Sequence, residues 1–186
     1  PHSRCHTIRH IAAAPSLRNV STHYYSAGYS LADFSYARAK DHTLPYIDPV
    51  IFRSILPAGF DAAYIGWEAD RIDKTRAICD FPLAYDHLDV CTDQIYQAER
   101  SVSQPINCGR CNKCIRTLIE IEAFAALDRF PKAFDLSRWQ SERRHAIPIL
   151  AKSKDPIDQK AVKLLRSREG RKSFFSSFRG AQPKAT

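Results

Sequence analysis

The chain has 186 residues, 44% of them hydrophobic and 11% aromatic, with a net charge of +8. That length closes an ordinary core without covalent staples, and no apolar run approaches the roughly 18 to 20 residues of a membrane-spanning helix. The charge is uneven: residues 137–186 hold 13 Lys/Arg against 4 Asp/Glu, so the basicity belongs to the C-terminal segment and residues 1–136 are near neutral.

In chain order, residues 3–13, "SRCHTIRHIAA", read as a helix closed by Pro15, followed by the β-branched and aromatic strand candidate "NVSTHYY" at 19–25. "SAGYS" is a turn-like loop. Pro45 and Pro49 disfavour helix in the residues before them, after which "PVIFRSIL" starts a short helix stopped by Pro57 and Gly59. "AAYIGW" (62–67) is a second strand, "DRIDKTRAICDF" (70–81) a helix, and "HLDVC" (87–91) a third strand ending on a cysteine. "IRTLIEIEAFAALDRF" is the strongest helix in the chain and runs to Pro131. Beyond it, "SRWQSERRHAIPIL" and "DPIDQKAVKLLRSREG" are short helix candidates, the second with Asp155 as N-cap and Pro156 at N1. The final "RKSFFSSFRGAQPKAT" is expected to fray.

Strands alternating with helices at this spacing predict an α/β fold with a parallel sheet, and three strands make only a partial one. The sequence starts at Pro1 and contains no methionine. Together these features lead to the expectation that the chain is the C-terminal part of a longer protein. The N-terminus shows no charged-then-apolar leader, so a reducing, cytoplasmic setting is expected. There, clustered cysteines serve as metal ligands or redox groups more often than as structural disulfides.

Six cysteines occur, three of them in "CGRCNKC". Cys108, Cys111 and Cys114 are spaced by two residues, and Cys91 lies upstream at the end of a predicted strand. Four thiolates complete a tetrahedral set for zinc, leaving no open position, so such a site is structural. Gly109 eases the backbone around an ion, while Arg110 and Lys113 offset the negative charge of a tetrathiolate. An iron–sulfur cluster takes four cysteines too, although no Cys-Pro follows here, and free or redox thiols are the third reading. Cys5 and Cys79 sit in helical patterns as small buried residues. "HSRCHTIRH" places His6 and His10 one helical turn apart, but no carboxylate partner accompanies His2, Cys5, His6 and His10.

Read in order, "IDP", "RIDKTRAI", "LDVC" and "NCGRCNKCIRT" resemble the C-terminal half of PP-loop ATP pyrophosphatases, the superfamily that includes 7-cyano-7-deazaguanine synthase. The likeness covers roughly residues 3–136 and is strongest to bacterial members ending in NCGRCxKCxRT. It implies a parallel sheet of the adenine-nucleotide α-hydrolase type, with a zinc-braced C-terminal helical region. It also implies ATP with magnesium as cofactor, and adenylation of a carboxylate or similar oxygen on a small-molecule substrate, with release of pyrophosphate. Cys91, Cys108, Cys111 and Cys114 match the family's structural zinc ligands, with a longer first gap than in the deazaguanine enzyme. Lys74 matches a lysine facing the nucleotide phosphates, Arg71 and Arg76 are close enough in sequence to assist it, and Asp48 is a second candidate near that site. The family's "SGGxDS" nucleotide loop does not occur in these residues, so no activity is expected of them alone.

These readings divide the chain into residues 1–136, a PP-loop-like α/β part with its four-cysteine zinc site, and residues 137–186, a basic, partly helical extension. The competing reading is a non-enzymatic, zinc-stabilised module that binds nucleic acid or an acidic partner through that extension. Its aromatics, Trp139, Phe174, Phe175 and Phe178, are not interleaved with basic residues as in single-strand-binding surfaces.

Overall fold

The computed structural model describes residues 2–41, 44–54, 56 and 58–179, and the side chains of all these except 2–6, 41, 53 and 169–179. Two compact units are distinguished, Pro1–Asp73 and Lys74–Thr186. Among the described residues no helix is long and apolar enough to cross a membrane.

The first unit contains α1 (His2–Ala13), β1 (Thr22–Ser26), α2 (Tyr36–Asp41), α3 (Asp48–Ser54) and β2 (Asp61–Ile65). Pro15 ends α1 as expected, inside a 3-10 turn over Ala14–Ser16. Asn19 takes the left-handed conformation at φ 62°, and β1 begins only at Thr22. The two strands pair in parallel, Thr22 opposite Asp61 and Tyr25 opposite Tyr64. Parallel neighbours need a long crossover, here supplied by α2 and α3.

Strand periodicity puts His23, Tyr25, Ala62 and Tyr64 on one face. Phe52 of α3 packs on that face, with its ring centre 5.0 Å from Tyr25 and 5.8 Å from Tyr64. His10 of α1 meets Tyr25 edge-on at 5.9 Å. On the opposite face Tyr24 is 68% and Ile65 48% exposed.

In the second unit, α4 (Arg71–Cys79, which begins just before it), α5 (Pro82–His87) and α6 (Gln94–Glu99) precede the central α7 (Asn112–Ala123). α8 (Leu136–Ala151) and α9 (Pro156–Arg179) complete it. The core gathers Leu118, Ile119 and Ile121 of α7 with Phe130, Phe134, Trp139, Leu150, Val162 and Leu165. The basic segment after residue 136 therefore contributes core side chains from both of its helices. Asp155 caps α9 as its sequence implies, its Oδ1 accepting the Ile157 N–H at 2.9 Å. α9 continues to Arg179, through residues expected to fray.

Two expectations are corrected. The strand expected at 87–91 does not form: α5 takes residues up to His87, and the following backbone pairs with the side chain of Asn107 instead of a neighbouring strand. Among the described residues the sheet has two strands, so the fold is mixed and mainly helical. The long helix also ends earlier than expected, at Ala123. There Ala125 adopts φ 55°, its N–H reaching Glu122 O at 3.0 Å while the Ala126 N–H reaches Ile121 O at 3.1 Å. This is the Schellman closure, with alanine where glycine is usual. A 3-10 turn at Leu127–Arg129 then leads to Pro131.

Candidate metal centre

The four cysteines singled out by their spacing converge. One ligand atom from each of Cys91, Cys108, Cys111 and Cys114 lies within 4.8 Å of the others. The Sγ atoms of Cys111 and Cys114 are 3.4 Å apart, and those of Cys108 and Cys114 3.8 Å. Zinc bonded to four sulfurs at about 2.3 Å sets neighbouring sulfurs roughly 3.8 Å apart, so the cluster is compatible with a structural metal such as zinc. Among the described residues no other group of three or more metal-ligating side chains comes together.

Local chemistry builds this convergence. Gly109 sits at φ 70°, a conformation that side chains with a Cβ resist, and lets the chain turn between Cys108 and Cys111. The Cys111 N–H then points at Cys108 Sγ, 3.3 Å away. Cys111 is the N-cap of α7 and Cys114 lies in its first turn, where the helix dipole favours thiolate. Cys108 and Cys114 are buried, whereas Cys91 and Cys111 are half-buried.

Burial raises the Cys108 and Cys114 thiols above their ordinary range. At Cys111 burial acts in the same direction but is outweighed by the backbone N–H groups of Thr92 and Cys114, with help from the side chains of Cys114 and Thr92. Its thiol is lowered to about 6. The Thr92 hydroxyl lies 3.7 Å from that sulfur. One thiolate is therefore favoured by the protein alone, and a cation would supply the compensation that the buried sulfurs need.

The supporting residues were less visible in sequence than the ligands. Asn107 is 2% exposed, and its amide nitrogen donates to Leu88 O at 2.8 Å and to Ala133 O at 3.0 Å. Its oxygen accepts the Val90 N–H at 2.8 Å. Asp89 Oδ1 accepts the Cys91 N–H at 3.1 Å, and Asp93 caps α6 while pairing with Arg110 at 3.3 Å. A buried amide can satisfy two stretches of backbone at once, but beyond its place next to Cys108 nothing in the sequence separates Asn107 from an ordinary turn residue.

The other sequence candidates lie elsewhere. Arg71 and Lys74 are half-buried on α4. Arg76, on the same helix, stacks its guanidinium over the Phe124 ring at 5.0 Å. Thr75, between them, donates to the fully buried Glu120 at 2.5 Å, so the inner face of α4 is fixed to α7. Asp48 is enclosed within the first unit and fully buried. His10 packs against Tyr25, while the side chains of His2, Cys5 and His6 lie outside the described residues. Cys79 is buried, as its helical setting implied.

No family model, no curated protein and no solved structure matches the chain.

Proposed function

We propose that the chain is the zinc-braced portion of an ATP-dependent adenylating enzyme of the PP-loop type, acting on a carboxylate or related small molecule. The convergence of Cys91 with the CxxCxxC run at the start of α7 carries this reading, because it joins LDVC and NCGRCNKCIRT, two of the four segments on which the sequence resemblance rests. The parallel β1–β2 pair, joined by a helical crossover, is in keeping with it.

In this reading four thiolates fill the coordination shell, so the zinc organises the protein and takes no part in the reaction. Cys91 and Cys108 anchor the two loops held together by Asn107, and Cys114 anchors α7. Lys74 and Arg71 are the candidates for phosphate contact, one turn apart on α4, with cations that complement a polyphosphate. ATP and magnesium are the expected co-substrate and ion.

The test uses protein made from the complete reading frame that encodes this chain. With ATP, magnesium, a panel of carboxylic acids and hydroxylamine, it should release pyrophosphate and form a hydroxamate. A reading frame without an SGGxDS loop upstream, or no pyrophosphate release with any acid, overturns the adenylation reading. Elemental analysis should find about one zinc per chain, and a brown, iron-containing protein overturns the zinc assignment.

A further inference from the structure

The first unit encloses a group of polar atoms that its fold does not satisfy. Asp48 and Thr7 are fully buried, and no well-formed hydrogen bond reaches either Asp48 oxygen, Thr7 Oγ1 or the Tyr64 hydroxyl, although the Gly28 backbone lies beside Tyr64. His23 Nε2 is in the same condition. The Thr7 hydroxyl lies beside the carboxyl and partly offsets its burial, and among the described residues no cationic side chain balances Asp48.

The groups are neighbours. Asp48 acts electrostatically on both Tyr25 and Tyr64, which face each other across β1 and β2 with ring centres 5.9 Å apart. Phe52 closes the aromatic wall against Tyr25 and Tyr64. Phe52 and Tyr64 also line a cleft of about 540 Å³ together with Pro49, Asp61, Ala62 and Trp67.

A buried carboxylate without a counter-charge is costly, and unsatisfied buried oxygens are rare enough to require a partner. A single carboxylate balances one positive charge. One carboxylate supplies too little negative charge to offset the dehydration of magnesium or calcium. Aromatic faces favour a weakly hydrated cation over a strongly hydrated one.

We propose that Asp48, Thr7 and Tyr64 form a site for a weakly hydrated monovalent cation, potassium or ammonium. The site uses residues of the first unit alone and is independent of the adenylation reading.

The experiment is a thermal melt of the zinc-containing chain at pH 8 and constant ionic strength in lithium, sodium, potassium or ammonium chloride. Potassium, ammonium or both should raise Tm over lithium in a saturable way, on the order of 5 °C when the site is filled. The arm that responds identifies the ion. Asp48→Asn should abolish the difference between salts, and Thr7→Val should move its midpoint to a higher salt concentration. Equal Tm in all four salts overturns the proposal, as does the same cation dependence in Asp48→Asn. If that variant does not fold, an unchanged midpoint in Thr7→Val overturns it instead.

Discussion

Asn107 holds Val90 as a neighbouring strand would: its Oδ1 accepts the Val90 N–H at 2.8 Å while its amide nitrogen donates to Leu88 O at 2.8 Å. One side chain thus fixes the loop that presents Cys91 to the loop that presents Cys108. Asn107→Ala removes three buried bonds and strands their backbone partners, at a cost of about 3 kcal/mol. Metal affinity should fall by roughly 10- to 100-fold, as for other residues that position ligands. Urea unfolding and competition with a chromogenic chelator measure the two effects, and wild-type values for both would remove Asn107 from the metal centre.

Cys111→Ser tests the ligand set. Loss of one ligand from a closed site takes folding free energy with it, so zinc content should drop well below about one per chain and Tm should fall. Elemental analysis and calorimetry on the same sample check this. Full zinc retention with an unchanged melt excludes Cys111 as a ligand.

Arg116 on α7 pairs with Asp155 at 2.9 Å and also with Asp158, which is 2% exposed. Arg116→Ala leaves Asp158, among the described residues, with the Ser153 hydroxyl at 2.6 Å, and should cost about 3 to 5 kcal/mol. The double variant Arg116→Met with Asp158→Leu should recover much of that loss, because it removes both buried charges. Chemical denaturation of the single and double variants gives the coupling, and additive losses would show that the pair contributes no interaction of its own.

Ala125 bears the cost of a left-handed conformation at φ 55°. Replacement by glycine relieves about 1 kcal/mol of strain, and little side-chain contact is at stake for so small a residue. Ala125→Gly should raise Tm by about 2 to 4 °C. A lowered Tm would show that the methyl group contributes more than the conformation costs.

Burial raises the Asp48 carboxyl to about 6, with the Thr7 hydroxyl opposing the shift. Its pKa in the folded state thus lies above the unfolded value of 3.8. The associated stability is fully present below that unfolded value and is lost as pH rises through about 6. In lithium chloride the wild type should lose on the order of 2 to 3 kcal/mol across this window relative to Asp48→Asn. Paired melts from pH 3 to pH 8 measure the difference, and parallel curves for the two proteins would show that Asp48 does not titrate in that range.

Legibility from sequence followed the range of the interactions. Pro15 and the Asp155–Pro156 cap act on their immediate neighbours, and the helix ends they mark appear where expected, whereas the residues before Pro49 are not extended: a 3-10 turn over Leu44–Ile47 runs directly into α3 at Asp48. The Cys-x-x-Cys spacing is local too, and its ligand set was readable. The missing strand at 87–91 was not readable, because Val90 finds its partner 17 positions away in a side chain that composition does not distinguish from a turn residue. The end of α7 was hidden for another reason: Ala125 and Ala126 are good helix formers, and a backbone reversal overrides their propensity. Exclusion of Asp48 from solvent depends on how α1 and α3 cover the sheet, which no single stretch encodes.

Cys114 and Arg116 stand two residues apart on α7, one facing the thiolate cluster and the other clamping the N-terminal turn of α9. Both contacts are thus made from adjacent turns of one helix, so a loss of order at the first turns of α7 is expected to loosen its hold on α9. Stripping the ion should therefore speed amide hydrogen exchange in the first turns of α9 as well as in the cysteine loops. Occupancy of the metal centre would then be legible to a protease that never approaches a cysteine.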